Sequence, residues 1–305
     1  MVVLAVVPAL LSAPATPASA PSGVSAARSE ASGPEDSGVL GPRLSDVQSR
    51  ALLGFVPREP APEPEPEPDG GIAAAAVQAA TMAAETVRGL DLRIAVLDRE
   101  LGELVSAGAA AEPTYTASLS KLVVAVDVVD RRRVEGLVVT ERDLDLFRRA
   151  LGPSDDSAMN ALWSRFGGST AAARVAARLG LAETLNPRDP SQWGEMLVSA
   201  DDQARIYEHV LAMPAEDRDL ILGALSAAPP VARDGFDQDF GLLAPEIAAL
   251  AGPVATKQAW MCCFSQRYYL HSAGVIGEDA RFVVSLLSIQ PRSGGWAAAR
   301  GGLTT

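Results

Sequence analysis

Ser118-Leu119-Ser120-Lys121 sets a hydroxyl three residues before an amine, at what the pattern reads as a helix start. On a helix those two side chains share one face. A serine hydroxyl is a weak nucleophile until a neighbouring base takes its proton. Lysine can be that base, because its pKa falls on burial or beside another cation; arginine stays charged and cannot. The distinction matters here, because the chain carries 24 arginines and only two lysines, Lys121 and Lys257. Each is a candidate for chemistry that needs an amine able to lose its proton. Backbone N–H groups at the start of the same helix add a place for an oxyanion.

Such chemistry requires elements that bring the two lysines together. "IAAAAVQAATMAAETV" from Ile72 reads as a helix by composition, and "LDLRIAVLD" alternates with period two as a strand does. "ELVSAG" returns as its partner. A helix from about Ser118 to Arg133 follows, then helices near 141–150, 156–166, 170–179, 200–212 and 215–226. From Val254 the runs "VATKQAWMCC", "RYYLHSAGVI" and "RFVVSLLSI" read as three strands on short turns. Two strands, a helical block and a three-strand meander predict an α+β fold: a five-stranded antiparallel sheet flanked by helices, with an all-helical insert. The sheet part is expected over 72–117 and 253–305, the insert over 118–252. Lys121 then falls in the first turn of the insert and Lys257 in the first strand after it, on either side of one cleft.

At these residues the chain resembles the serine β-lactamase and penicillin-binding protein (DD-peptidase) superfamily, whose motifs are S-x-x-K, S-D-N and K-T-G. Ser118 and Lys121 match the first. Ser154-Asp155-Asp156 matches the second in two positions, and Lys257-Gln258-Ala259 stands where the third belongs, with only its lysine matching. The resemblance spans roughly residues 72 to 300 and implies a β-lactamase-like domain. It implies that Ser118 attacks a carbonyl carbon with Lys121 as general base, and that Ser154 relays a proton toward the leaving nitrogen. Lys257 would hold the substrate carboxylate and keep the site positive. The oxyanion hole would be the backbone N–H groups of Ser118 and Trp260. Asp156, Gln258 and Ala259 would face substrate, and Asn160 would support the active-site loop.

The departures bear on the same chemistry. Asp156 replaces an amide donor with a carboxylate that cannot donate unless protonated; beside a lysine it would raise that lysine's pKa. Gln258 replaces a small hydroxyl, and Ala259 brings a Cβ where a glycine lets substrate lie against the strand. Class A β-lactamases also use a loop glutamate to activate the deacylating water. In "LAETLNPRDPSQWGEML" only Glu183 and Glu195 are available, neither in a recognisable match. Two readings follow. One is an exported serine acyl-transferase or hydrolase acting on D-Ala-D-Ala-like cell-wall peptides or β-lactams. The other is a catalytically silent binding module of the cell envelope built on the same fold.

Composition narrows the partners. A net charge of −12 with no basic run beyond Arg131-Arg132-Arg133 excludes nucleic acid as an expected ligand. Residues 1–20 hold an apolar run, Val2 to Leu11, and an Ala18-Ser19-Ala20 tripeptide resembling a signal-peptide cleavage site, so export is expected. That run is too short to span a bilayer, and no cysteine follows it to support a lipid anchor. Residues 21–71 end in a Pro/Glu tract and read as a disordered linker; the patch "ALLGFV" within it has no assigned role. Adjacent Cys262 and Cys263 are a poor start for a disulfide and are expected as buried small hydrophobes. With His271 they make too small a set for a metal centre, and neither metal nor cofactor is expected. His209 and His271 fall mid-helix and mid-strand, where a structural role is commoner, and no G-x-S-x-G elbow accompanies them.

Overall fold

The computed structural model describes residues 2–11 and 71–304. The expected cleavage site, the linker and the "ALLGFV" patch lie outside the described residues. Helix α1 covers Val2–Leu11 and α2 covers Gly71–Glu85. Strands β1 (Asp91–Asp98) and β2 (Glu103–Ala107) form the first hairpin. Short strands β3 (Thr114–Tyr115) and β4 (Leu197–Val198) pair in a small second sheet. Between and after them come α3 (Ser120–Glu135), α4 (Glu141–Leu151), α5 (Asp156–Phe166), α6 (Ala171–Leu179), α7 (Ala200–Ala212), α8 (Ala215–Ser226) and α9 (Pro245–Ala251). Strands β5 (Ala255–Cys262), β6 (Arg267–Ile276) and β7 (Phe282–Pro291) close the sheet, and α10 (Gly295–Thr304) follows.

The main sheet is five-stranded and antiparallel, in the order β2-β1-β7-β6-β5. The last strand of the meander pairs with the first strand of the chain, Val96 opposite Val284, so both ends of the domain meet, and helices α3 to α8 between them form the insert, with α9 on the other face of the sheet. Both faces are covered, which is why the central strands read as nearly continuous apolar runs. Strand alternation sends Leu92, Ile94 and Val96 to the layer of α1, α2, α9 and α10, and Ala95 and Leu97 to the layer of the insert.

Helix α3 runs through the middle of the insert, with every residue from Ser120 to Asp130 buried. Its Leu/Val/Ala sequence is apolar all round, as a helix enclosed by others requires. The two carboxylates it buries are paired. Asp127 takes Arg174 at 2.6 Å, and Asp130 takes Arg133 at 2.7 Å and His209 at 2.9 Å. This gives His209 a structural role.

The apolar run Val2–Leu11 lies as a helix in the same compact unit as the domain, with Val6, Val7 and Leu10 buried. The final segment forms a helix, α10, because Ala299 and Leu303 find a core to bury in. Cys262 is exposed and Cys263 half-buried, where both were expected as buried small hydrophobes. The preference of cysteine for interiors yields here to position, since β5 ends at Cys262 and the chain turns into solvent.

Candidate active site

Four segments converge on Ser118. A 3₁₀ turn over Ala117–Leu119 precedes α3, and Ala117 there has φ 45°, a left-handed conformation unusual for a residue with a Cβ. Ser154, in the loop before α5, has φ 57°. Backbone strain of this kind persists only where surrounding structure enforces it, and it gathers at functional sites. Thr116 N–H donates to the Met196 carbonyl at 2.8 Å, tying the nucleophile turn to the loop before β4. Asp155 caps α5 by accepting from Ser157 and Ala158 N–H, and Arg149 clamps its other oxygen at 2.6 Å. Ser154 is thereby fixed at its neighbour.

The polar atoms form a chain. Lys121 Nζ lies 2.9 Å from Ser118 Oγ and 3.0 Å from Ser154 Oγ, and donates to the Ser154 carbonyl at 2.8 Å. Ser154 Oγ lies 3.2 Å from Ser118 Oγ, and Lys257 Nζ reaches Ser154 Oγ from the other side at 3.0 Å. Lys257 therefore meets the nucleophile through Ser154. Both lysines are buried, at 1% and 0% exposure. Burial is the largest cause lowering the pKa of each; for Lys257, brought well below its ordinary value, the charge of Lys121 adds to it. Asp156 opposes this at Lys121, with Oδ1 at 2.7 Å from Nζ, but does not reverse it. Two amines that resist protonation beside a hydroxyl can take and pass on its proton.

The rest of the cleft differs from the sequence-based expectation. Lys257, Ala259 and Met261 face the insert, so alternation turns Gln258 and Trp260 to the opposite face. Gln258 Nε2 donates to the Gln238 carbonyl at 3.1 Å and also to that of Phe240, so its side chain does not reach substrate. Ala259 is fully buried. Trp260 stacks on Phe236 at 4.5 Å and donates its indole N–H to Asp234 at 3.1 Å. Asn160 accepts from the Trp193 indole at 2.9 Å, and that ring lies over Lys121 Nζ at 4.9 Å. Neither Glu183 nor Glu195 has a side-chain contact with the serine–lysine cluster among the described residues; an indole covers the amine instead.

Behind this site, two groups brace the strands. Tyr207 on α7 donates its hydroxyl to the Ala273 carbonyl at 2.6 Å and accepts Lys257 N–H at 3.1 Å, wedged between β5 and β6. His271 on β6 accepts Ser288 N–H at Nδ1, which leaves Nε2 to carry the hydrogen and donate to the Tyr115 carbonyl at 2.9 Å. The sequence signalled neither brace, nor Trp193 or Asp234.

No protein-family model matches the chain. A curated relative, "Putative lipoprotein LppW" of Mycobacterium tuberculosis, is 35% identical over 215 residues, 69% of this chain and 67% of the relative. Its Mycobacterium bovis counterpart matches equally. The chain belongs to the LppW family. Its fold is that of the serine β-lactamases and penicillin-binding proteins. A β-lactamase from Chitinophaga pinensis superposes with a TM-score of 0.59 at 13% identity, over 73% of this chain and 93% of that one. The class A β-lactamase of Mycobacterium abscessus gives 0.54 at 17%, covering 73% and 94%. A PBP-A mutant solved as an acyl-enzyme with penicillin G gives 0.56 at 16%, covering 73% and 92%. At such identities these likenesses establish the fold alone.

Proposed function

We propose that this chain is an exported, envelope-associated serine acyl-transferase of the penicillin-binding type, acting on D-Ala-D-Ala-like peptides or β-lactams through an acyl-enzyme at Ser118. The observation that carries the reading is the continuous chain Lys121–Ser118–Ser154–Lys257, each link between 2.9 and 3.2 Å. In the step envisaged, neutral Lys121 takes the Ser118 proton as Oγ bonds to the carbonyl carbon. The oxyanion meets the backbone N–H groups at the turn and on β5. As the carbon–nitrogen bond breaks, Ser154 gives its proton to the leaving nitrogen and is resupplied by a lysine. Every proton has a donor and an acceptor within one hydrogen bond.

Release of the acyl group has no comparable machinery. Trp193 covers the amine where a water-activating carboxylate would be useful, which favours a slow acyl-enzyme over efficient β-lactam hydrolysis. The name of the mycobacterial relatives supports an envelope location. A second reading, a silent binding module, draws on the Asp156–Lys121 ion pair, which ties up the base at 2.7 Å.

Intact mass decides between them. Protein is incubated with a fluorescent penicillin and, in parallel, with a neutral thioester acyl donor, as wild type and as Ser118→Ala. An adduct from either reagent that disappears in the variant supports the acyl-enzyme. No adduct from both, at long times and high concentration, leaves the binding module.

A further inference from the structure

On the side of Ser118 away from the leaving group, the nucleophile turn, strand β5 and the loop carrying Trp193 close in on one another. Ser154 and Lys257 stand together at 3.0 Å on the leaving side. The acyl side of a substrate therefore runs the other way along β5, past Trp260 to Met261, which shares the insert-facing side of the strand with Ala259. Opposite Met261 stands Gly194. A Cβ placed on Gly194 would lie 3.5 Å from Met261 Sδ and 3.7 Å from the Cα of Ala117, the residue before the nucleophile. Both are ordinary contact distances, so a single methyl fills the gap between strand and turn.

Two of the three walls are fixed. Trp193 donates its indole N–H to Asn160 at 2.9 Å, the Pro190 carbonyl accepts the Trp163 indole N–H at 2.9 Å, and the Met196 carbonyl accepts Thr116 N–H at 2.8 Å. The turn is buried, with Ala117 at 2% and Ser118 at 5% exposure. Met261 is the adjustable wall, since its unbranched thioether is half-buried and turns about several bonds. Gly194 is not required by its own backbone, because its φ lies outside the left-handed region. What its missing side chain leaves free is this gap.

We infer that Met261 and Gly194 form a size filter on the acyl side of the substrate, taking a residue whose side chain is a hydrogen or a methyl and slowing branched ones. This rests on the acyl-enzyme reading of Ser118 and adds two specificity residues to it. Neither takes part in proton transfer.

Acyl donors with one common leaving group test it: N-acetylglycyl, N-acetyl-D-alanyl and N-acetyl-D-leucyl thioesters. With each, Ser118 Oγ bonds to the carbonyl carbon, the carbon–sulfur bond breaks, and the serine proton ends on the departing thiol. Adduct formation on the full chain is timed by intact mass. The glycyl and alanyl donors are expected to label wild type at rates within about threefold of each other, and the leucyl donor at least about tenfold more slowly. Met261→Ala is expected to bring the leucyl donor within about threefold of the alanyl one. Gly194→Ala, which sets its own methyl in the gap, is expected to slow the alanyl donor about tenfold more than the glycyl one. Each result is a ratio of donors on one protein, so a change in the folded fraction cancels. Wild type that accepts the leucyl donor as readily as the alanyl one overturns the inference and leaves Ser118 as nucleophile. So does a leucyl deficit that Met261→Ala leaves in place, or a Gly194→Ala variant that slows all donors equally. Absence of any adduct from every donor removes the acyl-enzyme reading, and the inference with it.

Discussion

The two walls of the cleft present different chemistry. On the helical wall, Ser118, Lys121 and Ser154 stand within hydrogen-bond reach of one another, as the proposed acylation requires, and Lys257 joins them from the sheet. On the strand and loop walls, Gln258 faces away, Ala259 is part of the core and Trp193 covers the base. The difference has a physical origin. Proton transfer works only over hydrogen-bond distances and between groups of suitable pKa, so four side chains are tightly constrained together. Recognition is spread over many weaker contacts and tolerates replacement of any one of them.

Breaking the helical wall has the largest expected effect. Ser118→Ala abolishes covalent labelling, read as complete loss of the mass adduct. Lys121→Ala lowers the acylation rate by about a hundred- to ten-thousand-fold, and Lys121→Arg does no better because its guanidinium holds its proton; stopped-flow labelling at fixed pH checks both. Changes to the other walls have smaller effects. Trp193→Glu, which sets a carboxylate beside Lys121, shortens the adduct's lifetime by about tenfold, followed by mass after reagent is removed; an unchanged lifetime would show that the loop does not limit release. Asp156→Asn raises acylation at neutral pH by about threefold. Its carboxylate raises the Lys121 pKa, so its removal lets the base go neutral at lower pH, and the rising limb of the pH–rate profile moves to the acid side.

The smallest effect at neutral pH comes from the brace between the walls. Burial lowers the His271 pKa to about 4, and protonating Nδ1 would set a proton against the Ser288 N–H. A histidine with a depressed folded pKa contributes full stability above its ordinary 6.5 and loses it as pH falls toward about 4, worth about 3 kcal/mol. Thermal melts across that interval should show the loss in wild type and a flatter profile in His271→Gln. Parallel profiles would place the acid sensitivity elsewhere.

The residues proposed to react stood out because they are of rare types. Two lysines among 24 arginines single themselves out, and the alternation of β1 and the apolar run of α3 reveal the elements that carry them. Gln258 was misread by following a motif instead of the pleat. With Lys257 in the cleft, period-two geometry already requires its neighbour to face away. Trp193 and Asp234 left no local signal, since each lies in a loop and its role depends on a partner far along the chain. The helix at the C-terminus and the exposure of Cys262 likewise depend on what the rest of the fold covers.

Tyr207 has a consequence for how the molecule can be divided. Its phenol belongs to the inserted helices, yet it stands in the ladder between β5 and β6, at the residue that supplies the second amine. A protein reduced to its strands and outer helices would lack that peg, and the edge carrying Lys257 would have to find another register. The sheet and its insert are therefore halves of one mutual template, and neither can be grafted elsewhere with its chemistry intact.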